Sequence, residues 1–424
     1  MPQARQTLER VFREEYGLII ASLIRRSGSF ELAEESLQEA FSAALVNWEN
    51  EGAPQNPAAW LTTVAHRKLV DVLRREKTKT DKQSELEFET KRLQTGDSST
   101  SYVPDLESES AHPDDRLRLI FTCCHPSLSR ESQVALTLRT LGGLTTSEIA
   151  RAFLQPEPTL AQRLVRAKNK IRLAGIPYHI PAREVLPQRL ASVRSVIYLI
   201  FNEGYAATSG ENLIRNDLCL EAIRLGRVLC ELMPGESDRP ESLGLLALML
   251  LQNSRREARI NSHGELATLE EQDRSRWNRN DIEEGLRLVE TALRLRRVGP
   301  YQLQAAIAAV HAEARAAGET DWRQIVALYV ELMRIDPSPI VALNHAAAVA
   351  MNAGFEQGLR LIDEVGTEGK VDHYYFFHAA RADLLRRLNR TEEAAKAYGR
   401  ALALTANEVE QRYVQRRLIE LRKN

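Results

Sequence analysis

The chain has 424 residues, with 57 Lys and Arg against 58 Asp and Glu, and 43% of it is hydrophobic. That length allows two to four domains with ample cores, and the near-neutral balance excludes a uniformly basic nucleic-acid binder, so any phosphate-binding surface must be local. Four cysteines in no framework or CxxC spacing fit a reducing compartment without structural disulfides, and the longest apolar run, nine residues from Leu243 to Leu251, falls well short of the ~20 that span a bilayer. The start, MPQARQTLERVFREEYG, lacks the apolar core of a signal peptide. A soluble cytoplasmic protein without membrane contact is expected.

Helix formers dominate and no sustained period-2 segments bounded by hairpin turns appear, so the fold class is all-α. Residues 1–78 read as a compact helical domain, with helices over 16–26, 29–48 and 57–75 and a proline-containing loop before the third. Residues 79–113 read as a flexible acidic linker, because the stretch from Glu76 to Asp115 holds eleven acids against five bases and few large apolar side chains.

Residues 114–176 contain the most telling pattern. TTSEIARAF and EPTLAQRLVRAKNKIR, split by Leu154-Gln155-Pro156, have the spacing of a helix-turn-helix. Thr145 and Glu148 form a capping-box start for the first helix, and Ile149, Ala150 and Phe153 make its inward stripe. The second helix opens with Pro158 where a first-turn proline is tolerated. Its residues Leu160, Leu164, Ala167 and Ile171 recur at the period of a buried face. Thr159, Gln162, Arg163 and Arg166 are turned away from that face and are types that meet base edges and phosphates in a major groove. Between Arg130 and Arg172, eight Lys and Arg face three Asp and Glu, the local surplus that phosphate attraction needs. Taken alone, the segment also fits an ordinary helical hairpin with a solvated basic face.

Residues 177–424 repeat. Ala394, Tyr398 and Ala401 occupy the small and apolar positions expected in the second helix of a tetratricopeptide unit. Gly358, Ile362 and Val365 stand 36 residues earlier, and Ile325, Tyr329, Leu332 and Pro337 stand 33 earlier again. Weaker echoes fall at Gly285, Val289 and Ala292, and at Ala222, Gly226, Leu229 and Pro234. A helical solenoid of stacked, degenerate TPR-like pairs is expected.

Two helical domains joined by an acidic tether, the second a helix-turn-helix, resemble the sigma-70 family of RNA polymerase initiation factors in its extracytoplasmic-function (ECF) form. LAEESLQEAFSAALVNW at 32–48, PAAWLTTVAHRKLVDVLRRE at 57–76 and the helix-turn-helix carry the resemblance over roughly the first 175 residues. The whole chain resembles an ECF subgroup with a tetratricopeptide-like extension, in which FNEGYAATSG at 201–210 looks like a signature. The resemblance implies that Glu34, Glu35, Gln38, Glu39 and Phe41 grip the β′ clamp helices of core RNA polymerase, and Glu35 and Glu39, one turn apart, do present charge on one face.

It further implies a −10 promoter surface made of Asn50, Gln55, Asn56, Trp60, His66, Arg67, Lys68, Arg74 and Arg75. Trp48 and Trp60 are able to stack on unstacked bases, and Lys77 and Lys79 extend the cationic tract. His66-Arg67 departs from the Arg-Asn usual in related helices, placing a cation where the resemblance implies an amide. The −35 surface would comprise Thr159, Gln162, Arg163, Arg166, Lys168 and Lys170, with Arg172 as a further backbone positioner and the domain leaning on the β flap. The linker would follow the polymerase's RNA path. The solenoid would regulate the factor in cis and take a protein or ligand partner.

Cys123-Cys124-His125 is the one cluster of metal-ligand types, and adjacent residues with no fourth ligand close by do not make a tetrahedral site. No Walker A loop, GxSxG elbow or HExxH occurs. No enzyme activity, cofactor or metal is expected. The rival class is a helix-turn-helix transcriptional regulator with a ligand- or protein-sensing helical domain, which would bind DNA without polymerase. A third is a solenoid scaffold with a degenerate amino-terminal half.

Overall fold

The computed structural model describes residues 2–91, 113–153, 155–207, 209–232, 239–261, 264–367 and 369–423. Contacts divide it into two compact units, residues 1–151 with 155–193, and residues 194–424 with 152–154.

In the first unit, α1 (Pro2–Ser27), α2 (Phe30–Glu51) and α3 (Pro57–Lys91) pack on one another. Helix α1 buries Tyr16, Ile19, Ile20, Leu23 and Ile24, a stripe at helical period. It ends where Gly28 takes φ +66 and donates its N–H to the Ile24 carbonyl, a left-handed C-cap that glycine adopts without strain. Ser29 then caps α2, its Oγ accepting from the Leu32 amide. Helix α2 buries Phe30, Ala33, Leu37, Ala40, Ala44 and Trp48, and α3 buries Leu61, Ala65 and Leu69.

Helix α3 runs to Lys91, past the expected end at Arg75, and makes helix of residues 79–91, which the sequence composition assigned to a flexible linker. The segment is rich in Glu and Lys, which are good helix formers as well as solvating residues. Lys77 and Asp81, and Glu87 and Lys91, stand at i,i+4 spacing in the sequence. The rest of that linker, residues 92–112, lies outside the described residues.

The unit continues with α4 (Pro113–Cys123), α5 (Arg130–Thr140), α6 (Thr146–Ala152) and α7 (Glu157–Leu173) around Leu119, Phe121, Leu136, Ile149 and Leu160. The division between units falls within α8 (Leu186–Tyr205).

The second unit is a succession of helices, each packed on its neighbours in sequence: α9 (Asn216–Leu232), α10 (Arg239–Asn253), α11 (Arg279–Arg294), α12 (Pro300–Glu313), α13 (Trp322–Ile335), α14 (Pro339–Ala353), α15 (Phe355–Gly366), α16 (Tyr375–Arg387), α17 (Thr391–Leu404) and α18 (Glu408–Lys423). Most of the repeated sequence positions fall on every second helix and are buried, whereas Tyr329 and Val365 are half-buried and Pro337 is exposed after α13. The buried ones are Ala222, Gly226 and Leu229 on α9, Gly285, Val289 and Ala292 on α11, Ile325 and Leu332 on α13, Gly358 and Ile362 on α15, and Ala394, Tyr398 and Ala401 on α17. Pro234 lies outside the described residues.

The two ends of this unit meet. Strand β1 (Ser209–Gly210) pairs in parallel with β2 (Ala406–Asn407). The Asn407 amide, fully buried, donates to the carbonyls of Ala207 at 3.1 Å and Asn212 at 3.0 Å, while its oxygen accepts from the amide N–H groups of Val409 and Glu410 at the start of α18. The FNEGYAATSG segment therefore ends α8 and forms the seam. Gly204 stands so close to α9 that a Cβ there would lie 2.7 Å from the Cys219 nitrogen, and Glu203 pairs with Arg215 at 3.2 Å across the turn.

Candidate polymerase and promoter interface

The burial of Ala33, Leu37, Ala40, Ala44 and Trp48 fixes which way α2 faces. Glu35, Gln38 and Glu39 are exposed on its opposite side, and Glu34 and Phe41 are half-buried at its edges. The exposed strip continues through Leu45, 38% accessible, and Val46, 61% accessible. It is an acidic surface with an apolar end, suited to a basic helical partner carrying apolar side chains. Sequence reasoning missed Leu45 and Val46, although their position off the buried stripe signals them. Two of the acids are already paired within the unit: Glu39 with Lys68 at 3.1 Å and Glu34 with Lys168 at 2.5 Å.

Asn50, in the last turn of α2, and Gln55 and Asn56, in the loop that follows, are exposed. Asn50 donates its amide to the Val46 carbonyl, and Asn56 accepts from the Ala59 amide N–H at 3.1 Å, which makes it the cap of α3. Trp48 is buried at 4% accessibility and meets half-buried Trp60 edge-on with ring centres 5.5 Å apart. Trp48 is thus a core residue, and Trp60 presents what remains accessible of the pair. Arg67, Arg74 and Arg75 are exposed and Lys68 half-exposed. His66 instead turns to α1, with Nε2 3.1 Å from the Ser22 hydroxyl. Burial, and then the charges of Arg26 and Arg25, hold its pKa below the usual imidazole value, so it packs α3 on α1 as a neutral ring. The side chains of Lys77 and Lys79 lie outside the described residues.

The helix-turn-helix forms as its sequence dictates. The Thr145 N–H donates to the Glu148 carboxylate at 2.7 Å, and the Glu148 N–H donates to Thr145 Oγ1 at 3.2 Å, a complete capping box. Leu160, Leu164, Ala167 and Ile171 are the buried residues of α7. Thr159, Gln162, Arg166 and Lys170 are exposed, with Val165 at 57% accessibility among them. Arg163 is held by a bond of 2.9 Å to Gln155 Oε1, and Arg172 donates to Asn169 at 2.9 Å.

The two helical domains of the first unit are joined by contacts that no local pattern announces. Arg25 of α1 pairs at 3.1 Å with Asp115 of α4, whose carboxylate is 1% accessible and lies 3.6 Å from Arg118. The Tyr178 hydroxyl sits 2.9 Å from the Ala21 carbonyl and 3.0 Å from the Asp115 carbonyl, so one proton ties α1 to α4. Burial, reinforced by the Asp115 charge, pushes that phenol far up. The Arg139 guanidinium lies over the Tyr16 ring at 5.7 Å. Gly17 is packed against the Leu141 backbone so closely that a Cβ would lie 2.9 Å from its carbonyl oxygen.

The model of sigma-70 region 2 matches residues 11–79, and that of sigma-70 region 4 matches residues 118–171. These are the two domains whose exposed faces have just been described. The chain belongs to the sigma-70 family, in its ECF form. A family of unknown function, DUF6596, matches residues 189–293. The chain is 42% identical over 402 residues to the uncharacterized protein R00370 of Rhizobium meliloti (strain 1021), covering 95% of this chain and 93% of that one. It is 27% identical over 161 residues to the ECF RNA polymerase sigma factor SigK of Mycobacterium ulcerans (strain Agy99), covering 37% of this chain and 77% of that one. As in other sigma-70 proteins, the partners these domains imply are core RNA polymerase and promoter DNA.

Cys123 and Cys124 of this sigma factor are buried, their sulfurs 3.1 Å from Thr140 Oγ1 and 3.6 Å from Thr137 Oγ1. Burial pushes both thiols up, Cys124 to about 11, and they pack α4 against α5. Among the described residues, no helix is long and apolar enough to cross a membrane.

Proposed function

We propose that this sigma factor docks on the β′ clamp of core RNA polymerase through the outer face of α2. Glu35, Gln38 and Glu39 supply complementary charge there, and Leu45 and Val46 supply apolar contact. The exposed cations of α3 and the capped loop before it engage the −10 element, with Trp60 offered to an unstacked base. The exposed face of α7 enters the major groove of the −35 element, where Arg166 and, once released from Gln155, Arg163 reach bases or phosphates. The β flap receives the helix-turn-helix domain. The second unit regulates the factor in cis from the cytoplasm, as the helix succession fused directly behind region 4 suggests.

The observation that carries this is the matched pair of regions 2 and 4, each presenting its charged residues outward on an ordered helix. Reconstitution tests it. The full chain with core polymerase should yield promoter-directed run-off transcripts. Arg166→Ala should weaken −35 binding by about 1–3 kcal/mol, and Glu35→Lys with Glu39→Lys should abolish co-elution with core enzyme. Sequence-specific binding to DNA by the chain alone, with no association with polymerase, would refute it.

A further inference from the structure

Within the second unit, half-buried Arg255 in the turn after α10 stands beside two aromatic rings, its guanidinium carbon 5.9 Å from the centre of Tyr205 and 6.0 Å from that of Trp277. Its side chain makes one hydrogen bond among the described residues, donated to the Tyr205 hydroxyl at 2.7 Å. Other half-buried arginines of the unit lie on carboxylates, as Arg387 does on Asp383 and Arg417 on Glu271. No carboxylate of the described residues lies within 4.0 Å of Arg255. A guanidinium withdrawn from water without an opposite charge is costly, and four of its five donors remain unused.

Its cationic neighbours are committed elsewhere. Arg274 donates to the carbonyls of His311 and Ala314 and to Thr320 Oγ1, and Arg259 donates to the Tyr205 carbonyl. Burial and then the Arg255 charge lower the pKa of Arg274 and of His311, so the surroundings of Arg255 lack negative charge. Two further polar atoms beside these arginines, Trp277 Nε1 and His311 Nδ1, are buried without a hydrogen-bond partner.

Tyr198 of α8, Tyr329 of α13 and Tyr374 before α16 come together around this point from distant parts of the unit. Each keeps accessible surface, yet burial raises the Tyr198 and Tyr329 phenols to about 12 and that of Tyr374 as well, and the fields of Tyr198 and Arg255 both reach Tyr329. Side chains that remain accessible while their polar ends are stripped of water line a recess rather than a closed core. A mostly aromatic lining with one convergent charge is the chemistry of a small-molecule site.

We propose that this recess binds a small organic anion, its carboxylate or phosphate held by Arg255 and its apolar body set against the tyrosines. The forked donors of arginine match either head group. The site lies wholly in the second unit and does not depend on the polymerase reading; it supplies the regulatory role proposed above with a chemical input.

Calorimetry on the free full-length chain tests it with three probes of one shape: benzoate, phenyl phosphate and neutral benzamide. At least one of the two anions should bind saturably, with a Kd on the order of 1 mM or tighter, and the tighter of the two identifies the head group. Benzamide should bind about tenfold or more weakly, and Arg255→Gln should weaken the anion by about tenfold or more, as loss of a charge-assisted bond requires. Should that variant fail to fold, the native chain still decides. The His311 ring resonances, assigned by comparison with His311→Gln, should shift with the anion at the calorimetric midpoint and stay put with benzamide, because the anion cancels the Arg255 field there. Binding by neither anion, equal binding of benzamide, undiminished binding in folded Arg255→Gln, or an unmoved His311 signal at saturation overturns the proposal.

Discussion

The seam of the second unit hangs on one side chain. Asn407→Ala removes four hydrogen bonds at once, two donated to the Ala207 and Asn212 carbonyls and two accepted from Val409 and Glu410. The accepted pair caps α18, a contribution of about 1 kcal/mol. The donated pair satisfies carbonyls that the fully buried amide screens from water, at about 1 kcal/mol each. The seam should therefore lose about 3 kcal/mol, a more than hundredfold rise in local opening. Hydrogen exchange on the full chain reads this directly, because the amides of Ala207 and Arg215 on one side and of Val409 and Glu410 on the other should all lose protection together. Asn407→Asp separates the two effects. It keeps the cap oxygen yet sets a carboxylate against two carbonyls, so it should open the seam at least as much while α18 keeps its first turn. Protection unchanged within about threefold in either variant would refute the reasoning, as would loss confined to α18.

His311 packs edge-on against Trp322 at 5.2 Å, and desolvation, with Arg255 and Arg274 close by, lowers its pKa to about 3. The unfolded imidazole takes a proton near pH 6.5 and the folded one does not. Stability of the second unit should therefore be intact above pH 6.5 and fall by up to about 1.4 kcal/mol per pH unit as pH drops toward 3. Urea titrations across that range should show the slope in the native chain and a shallower one in His311→Gln; equal slopes would contradict the assignment. Burial raises all four thiols, with Cys219 and Cys230 pushed up to about 12. A thiol reagent at pH 8 should accordingly label the folded chain slowly and all four cysteines on unfolding. Fast labelling of Cys123 or Cys124 in the native state would show that α4 and α5 are not packed as described.

Local chemistry was legible in the residues. The Thr145/Glu148 capping box and the Leu160, Leu164, Ala167, Ile171 stripe depend on neighbours within a few turns, and periodicity records them. The buried positions of Gly358 and Ala394 were legible for the same reason, since small residues mark where helices approach closely. The length of α3 was not, because Glu, Lys and Gln serve equally in a solvated tether and an exposed helix. Nor were Lys168–Glu34, separated by 134 residues, or Asn407–Ala207, separated by 200. Each is a single polar contact without a pattern, set by how whole helices meet. His66 shows the same limit: its neighbours Arg67 and Lys68 suggested a cationic surface, and only the approach of Ser22 reveals that its ring faces inward.

The most direct test of the whole account is a run-off experiment on genomic fragments with the purified full-length chain and sigma-free core polymerase. Discrete start sites should appear only when both are present, each preceded by two short shared elements, and should vanish with Glu35→Lys and Glu39→Lys. No association with core polymerase and no start sites, from a chain shown to be folded, would contradict it.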